Sequence, residues 1–545
     1  MARFESIAFS VGPRTRRADT IARSVVSMTL GRGWRVEPLA LDKGEFEAVP
    51  RRPMRTTTPA HIARMWDRVY ELRRDRRVVW AEPLFEMTTA EQHPRLARAE
   101  VPDPQTADVE WSLTHMRVQE AWALFTKAAP GAGVIVGHPD TGYTRHPEIF
   151  SSRLLVKDGF DFEDGDADPT DPLDGGVLRN PSHGTGTSSV IMSARGKQSG
   201  TIGDAYVSGT APAAELVPIR TTKSVVLWSM RKLTRAIRYA IDQKVHVVSI
   251  SLGGPYPSRA LHSAVTDAAD AGIIVLCAAG NRVEFVVFPA AFEEVIAVAA
   301  STVDDKEWSG SCRGPAVDIT APGAAVWRAL TTKKRSSIFV FDVERGDGTS
   351  FSVAGTAGVA GLWLSFHGRK VLLDKFGPSG IAPAFKDYLQ RTCRVPPGWD
   401  TNHFGAGIVD ARTLLEAKLP KTMGQVLRRT GRKLSPARDD AFETIVHLTQ
   451  PAPRSGVALV LAHLLRVDET MLRVELERLG DEIVFALADD PKFRVAFRAT
   501  CIAATPPARR GRRYRTTLPK VAPIRRRLAG PRASRQLAQT LKVSK

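Results

Sequence analysis

The chain reads Gly348-Thr349-Ser350-Phe351-Ser352-Val353-Ala354-Gly355-Thr356-Ala357-Gly358, a serine at the head of a run of mostly small residues. A hydroxyl at a helix N-terminus sits among unpaired backbone N–H groups and the positive end of the helix dipole, where a developing oxyanion is held. Ala357, Gly358, Ala360 and Gly361 let such a helix press close to neighbouring backbone. The same pattern also suits an ordinary buried helix start. What surrounds it decides between the two.

A serine hydroxyl needs a base within hydrogen-bond reach and a third group to orient that base. Upstream, Gly133-Val134-Ile135-Val136-Gly137-His138-Pro139-Asp140-Thr141-Gly142 reads as a short apolar strand that ends in an aspartate and a glycine turn. Ligand-binding and catalytic groups of open α/β sheets gather at such strand ends. Between Asp140 and Ser350 comes His183-Gly184-Thr185-Gly186-Thr187-Ser188-Ser189-Val190-Ile191, a histidine entering a second small-residue helix. The order is Asp, His, Ser, one of three unrelated orders of the same triad and the one found in subtilisin.

The chain resembles the subtilisin-like serine proteases, the subtilases. Four motifs carry the resemblance: Asp140-Thr141-Gly142, His183-Gly184-Thr185, Ala278-Ala279-Gly280-Asn281 and Gly348-Thr349-Ser350. Ser249-Ile250-Ser251-Leu252-Gly253-Gly254 and Asp318-Ile319-Thr320-Ala321-Pro322-Gly323 lie between them, and His403-Phe404-Gly405-Ala406-Gly407-Ile408-Val409-Asp410 resembles the family's closing segment. The resemblance implies a serine endopeptidase in which Ser350 is the nucleophile, His183 the general base and then acid, and Asp140 the carboxylate that orients His183. Asn281 is the implied oxyanion donor, together with the Ser350 backbone N–H. Ser251, Leu252, Gly253 and Gly254 are implied to bind an extended peptide substrate as an edge strand. No cofactor is required for this chemistry.

Each residue has a plainer reading. Asp140 suits a turn cap, His183 a core histidine, and Asn281 a loop position of positive φ. His138 and His146 stand beside Pro139 and Pro147, which suggests turn positions and surface places for both. Two positions depart from the family pattern: Gly186 stands where a second histidine is common, and Ala354 where a proline shapes the helix after the nucleophile. A catalytically silent subtilase-fold adaptor, binding partners through its C-terminal regions, is the alternative that these departures leave open.

Residues 131–415 alternate apolar strand runs with helical stretches. The runs are Gly133–Gly137, Glu215–Ile219, Val245–Leu252, Ile273–Ala278 and Val295–Ala299, rich in Val and Ile without polar alternation, and a helical pattern spans Trp228–Asp242. Such an order predicts an α/β domain with a mainly parallel sheet covered by helices on both faces. Four regions are expected: an N-terminal α+β module over 1–110, the peptidase domain over 111–418, a small helical region over 419–500 and a basic unstructured tail over 501–545. The module resembles a subtilase prosegment, with cleavage expected between Thr88 and Asp108; a permanent docking domain is the competing reading.

The formal net charge is +19, and residues 501–545 hold 13 Lys and Arg with no acid. Such a tail suits solvent, or attraction to nucleic acid or another anionic surface; Tyr514 alone interrupts the Arg509–Arg515 cluster with an aromatic ring. Four cysteines in 545 residues exclude a disulfide scaffold and show no metal-ligand spacing. The N-terminus carries no apolar secretory core and no run is long enough to span a membrane, so a cytoplasmic location is expected. The acidic loop Asp158–Asp174 is the one candidate for a structural calcium ion, because hard oxygen ligands suit that ion.

Overall fold

Val247-Val248-Ser249-Ile250 has no polar alternation, and all four residues are buried, as a central parallel strand requires. In the computed structural model this strand lies inside a seven-stranded sheet. The structure describes residues 2–12, 17–52, 58–88, 106–176, 179–194, 207–225, 227–334, 338–419, 441–505 and 521–542. It divides into two units, Met1–Thr88 with Pro255–Ala260 and Arg438–Lys545, and Thr89–Gly254 with Leu261–Ala437.

In the first unit, strands β1 (Arg3–Ser10), β2 (Trp34–Ala40), β3 (Glu45–Pro50) and β4 (Trp80–Thr88) pair antiparallel in the order β2-β3-β1-β4. Helices α1 (Ala18–Thr29) and α2 (Pro59–Arg73) accompany them. Thr58 caps α2, its hydroxyl accepting from the His61 N–H, and Pro59 sits where a helix start loses no hydrogen bond.

In the second unit, β5 (Ile135–Asp140), β6 (Phe160–Asp161), β7 (Glu215–Arg220), β8 (Val247–Ile250), β9 (Ile274–Ala278), β10 (Ile296–Ser301) and β11 (Ile319–Pro322) form the sheet. The order is β11-β10-β9-β8-β5-β7-β6 and every pair is parallel. Helices α3 (His183–Met192), α4 (Met230–Asp242) and α5 (Arg259–Asp270) follow strands in sequence, the first two residues of α5 belonging to the other unit. A hairpin, β12 (Val326–Lys334) and β13 (Ile338–Gly346), precedes α6 (Thr349–His367), whose residues Thr349–Leu364 are all buried. Gly358 in α6 permits that depth, since a Cβ there would stand 2.5 Å from Thr210 Cβ. The α/β class, the parallel sheet and the helical C-terminal region expected from the sequence are those observed.

The C-terminal part of the first unit opens on a helix at Ala441–Leu448 and continues with α7 (Arg454–Leu465), α8 (Glu469–Asp489), α9 (Pro491–Ala504), α10 (Ala522–Leu528) and α11 (Arg535–Thr540). These helices share a core with the N-terminal strands: the Phe485 ring stacks on Phe85 at 4.5 Å and lies 5.9 Å from Trp66. The division therefore differs from the four consecutive regions expected, because apolar rings on α2, β4 and α8 bury one another. The tail differs too. Its described residues end α9 and form α10 and α11, and four arginines there are engaged within the unit: Arg525 with the His463 carbonyl, Arg527 with Asp490, Arg532 with Asp489 and Arg535 with Asp67. The Arg509–Arg515 cluster and most of the expected cleavage segment lie outside the described residues.

Glu482 and Glu82 are among the buried carboxyls of this unit. Glu482 accepts from Tyr70 Oη at 2.9 Å and from the Ser534 N–H and hydroxyl at 2.7 Å each. Glu82 accepts from the Ser258 hydroxyl and the Arg259 and Ala260 N–H groups. Burial outweighs these bonds and pushes both carboxyls up to about 7. Both hold a proton more readily folded than unfolded, so their contribution to stability is complete near pH 4 and is lost as pH rises through about 7. The first unit should melt at a lower temperature at pH 8 than at pH 5, and Glu482→Gln should shrink the difference. A melting temperature that rises over this interval would contradict the assignment.

Candidate active site

The site is built at the C-terminal ends of β5 and β8 and at the N-termini of α3 and α6. Asp140 closes β5, is fully buried, and its Oδ1 lies 2.7 Å from His183 Nδ1 and accepts the Thr141 N–H at 2.7 Å. Burial works against ionisation of Asp140, but His183 with its hydrogen bond, His138 and the Thr141 N–H together hold the carboxyl below its ordinary range. His183 opens α3 because two turns fit together there. Gly142 follows Asp140 at φ +99°, a conformation that favours glycine, and a Cβ on Gly184 would stand 2.1 Å from the Gly142 carbonyl oxygen. The small residues of both motifs are thus a packing requirement.

Ser350 lies in the first turn of α6, 5% exposed. The next residue, Phe351, places its ring 6.3 Å from the His183 ring. Among the described residues no hydrogen bond joins Ser350 Oγ to His183; a catalytic bond of this kind can tighten only as the reacting complex forms. Ser251 donates its hydroxyl to the Ser350 carbonyl at 3.3 Å, which fixes the helix start against the end of β8.

Asn281 follows β9. Its Oδ1 accepts both the backbone N–H and the hydroxyl of Thr349, each at 2.9 Å, so the amide oxygen is occupied and Nδ2 is the end left to donate. Nδ2 would stand 3.3 Å from a Cβ on Gly348. Ser251, Leu252 and Gly253 leave the sheet at the end of β8, and Gly254 exchanges backbone bonds with Phe288 at 2.8 and 2.9 Å. A Cβ on Gly253 would meet Val287 Cγ2 at 2.6 Å, so this segment is pressed flat against the loop after Asn281. Asp140 and His183 are joined directly, Asn281 and Ser350 through Thr349, and Ser251 to Ser350 by its hydroxyl.

Three features escape a reading of the sequence. His138 and His146, expected at the surface, are buried. His138 is inside the β5 ladder opposite Pro218, and Pro139 continues the strand. His146 Nε2 lies 2.9 Å from the Asp342 carbonyl, with its ring edge-on to Phe341 of β13. Asp171, one carboxylate among many in the acidic loop, ties the two glycine turns together: Oδ2 accepts from the Thr141 hydroxyl at 3.1 Å and the Ser182 N–H at 2.7 Å, while Thr141 Oγ1 accepts the Gly184 N–H at 3.0 Å. No local pattern sets Asp171 apart from its neighbours.

The departures from the family pattern are accommodated. A Cβ on Gly186 would stand 2.8 Å from Arg328 Cδ and 3.1 Å from the Ala329 carbonyl oxygen, so β12 occupies that space. Ala354 lies fully buried inside an unbroken α6.

The acidic loop does not fit a calcium cage. Asp161 and Asp164 bind Arg220, Glu163 binds Lys232, Asp174 binds Arg179 and Asp171 serves the glycine turns. Among the described residues no group of three or more metal-ligating side chains converges. All four cysteines are free, and burial pushes the Cys277 thiol well above its ordinary range. Among the described residues no helix is long and apolar enough to cross a membrane.

Residues 131–407 match the model of the subtilase family, just over half of the chain. Thermitase of Thermoactinomyces vulgaris is 29% identical over 269 residues, 49% of this chain and 86% of that one. Subtilisin Savinase of Lederbergia lenta is 28% identical over 304 residues, 56% of this chain and 97% of that one. A solved protease structure from Pseudoalteromonas arctica superposes with a TM-score of 0.47 at 23% identity, covering 57% of this chain and 98% of that one. The chain belongs to the subtilase family. It is a serine endopeptidase, with proteins or peptides as its substrates.

Proposed function

We propose that this endopeptidase cleaves peptide bonds through an acyl-enzyme formed on Ser350. Ser350 Oγ attacks the scissile carbonyl carbon while His183 takes the hydroxyl proton. The tetrahedral oxyanion is met by Asn281 Nδ2 and the Ser350 N–H. His183 then gives its proton to the leaving amine as the C–N bond breaks, leaving an ester. Water, deprotonated by His183, attacks that ester, and the proton returns to Ser350 as the acid departs. Asp140 keeps the His183 proton on Nδ1, so that Nε2 faces the serine, and stabilises the imidazolium. Residues Ser251–Gly254 align the substrate backbone.

The observation that carries this reading is the 2.7 Å bond between buried Asp140 and His183 Nδ1. A buried carboxylate spent on one face of an imidazole prepares the other face as a base. The test is labelling by a fluorophosphonate probe: the native protein should label, and Ser350→Ala and His183→Ala should not. Equal labelling of the native protein and Ser350→Ala would reject the assignment.

Asn281→Ala should lower kcat by about 10²–10³ with little change in KM, the size the loss of such a donor has in subtilisin. A change confined to KM would assign Asn281 to substrate binding in place of the oxyanion.

A further inference from the structure

His138 lies two residues before Asp140, within the site but without a part in the triad. Its side chain is 2% exposed. Nε2 stands 3.1 Å from Thr187 Oγ1 and 3.8 Å from Asp140 Oδ2, and Nδ1 stands 3.3 Å from Ser188 Oγ. Thr187 and Ser188 belong to α3, one turn beyond His183, and Thr187 Oγ1 is 3.4 Å from Asp140 Oδ2. The two oxygens of Asp140 therefore have separate surroundings. Oδ1 serves His183 and the Thr141 N–H, while Oδ2 faces Thr187 and His138.

The charge on Asp140 selects the state of His138. Burial disfavours the imidazolium and His183 repels it, outweighing the attraction of Asp140; these are the titratable groups that act on the ring. A neutral ring carries one N–H. A proton on Nδ1 would turn the Nε2 lone pair toward the Oδ2 charge and draw the Thr187 hydrogen away from it. A proton on Nε2 donates to Thr187 Oγ1, leaves Nδ1 to accept from the Ser188 hydroxyl, and frees the Thr187 hydrogen. Three acceptors are then in reach: the carbonyls of His183 at 3.0 Å and Gly184 at 3.3 Å, and Asp140 Oδ2. The carboxylate is the charged one, and hydrogen bonds to charged acceptors are about twice as strong as neutral ones.

We propose that His138 is a positioning residue for the triad: through Thr187 it engages Asp140 Oδ2, so that the carboxylate keeps Oδ1 turned to His183. The proposal rests on the triad reading above. Its signature is a chain of three groups, His138, Thr187 and Asp140, in which either of the first two is without effect when the other is gone.

Thr187→Val keeps the shape of the side chain and deletes the hydroxyl. His138→Val deletes the ring, and His138→Gln retains a neutral N–H donor. Thr187→Val and His138→Val should each lower kcat about tenfold at constant KM, the size of one hydrogen bond to a charged group. The double variant should fall no further than either single one. Without its second donor, Asp140 is more basic and holds the His183 imidazolium more tightly, so the acid limb of the kcat/KM profile should move to higher pH in both. His138→Gln should stay within about threefold of the native rate, with the native acid limb. Multiplying losses in the double variant, or an unmoved acid limb in Thr187→Val, would overturn the proposal, and Thr187→Val decides it even if His138→Val fails to fold.

The downfield Nδ1–H proton resonance of His183, recorded in a Ser350→Ala background, should move in both variants. That readout needs no turnover. A native protein without Ser350-dependent hydrolysis would reject the proposed function, whereas an unmoved resonance would reject the role of His138.

Discussion

Ser350→Ala is expected to lower kcat by about 10⁶ while leaving the melting temperature within a few degrees of native. The size is that of the corresponding change in subtilisin, where removing the nucleophile costs as much as removing the whole triad. The structure explains why the fold should tolerate it. Alanine suits the first turn of α6, and the neighbouring contacts run through other atoms: Ser251 bonds to the Ser350 carbonyl, and Asn281 binds Thr349. The residual rate should come from Asn281 and substrate alignment, which the substitution leaves in place. Activity within tenfold of native would mean that another group carries out the attack. A fall of more than ten degrees in melting temperature would mean that Ser350 Oγ has a structural duty its surroundings do not suggest.

Asp140→Asn should cost about 10⁴ in kcat at neutral pH, the magnitude measured when the same exchange is made in a chymotrypsin-type triad. The geometry gives the reason. Oδ1 accepts from the Thr141 N–H and from His183 Nδ1, both at 2.7 Å. An asparagine that keeps its oxygen on Thr141 and His183 must turn its amide N–H₂ toward His138 and Thr187, displacing the donors there. One that turns its N–H₂ to His183 makes Nδ1 an acceptor and sends the proton to Nε2, where the base should be. Either arrangement disables the histidine, and the variant should regain part of its rate at high pH, where hydroxide replaces the base. A rate within tenfold of native at neutral pH would remove Asp140 from the mechanism.

The candidate site was legible in the sequence where its geometry is local. Asp140-Thr141-Gly142 and His183-Gly184-Thr185 each pair a polar residue with the glycine its turn requires, and the two glycines touch, Gly184 against the Gly142 carbonyl. The parallel strands were legible because burial on both faces leaves unbroken Val and Ile, as in Val247–Ile250. What stayed hidden depends on partners distant in sequence. His138 reads as a turn beside Pro139, yet the parallel ladder with β7 carries the strand through that proline. Asp171 reads as one solvated acid among several until Ser182 and Thr141 are brought to it. The basic tail reads as unstructured because its helices are short and its acidic partners, Asp67, Asp489 and Asp490, lie far back in the chain.

The central claim is the covalent intermediate on Ser350, and trapping it is the most direct test. Protein mixed with an activated peptide ester and quenched in acid should gain the mass of one acyl group, and peptide mapping should place that group on Ser350. Ester hydrolysis with the acyl group on another residue, or with none on a protein turning over at full rate, would contradict the account.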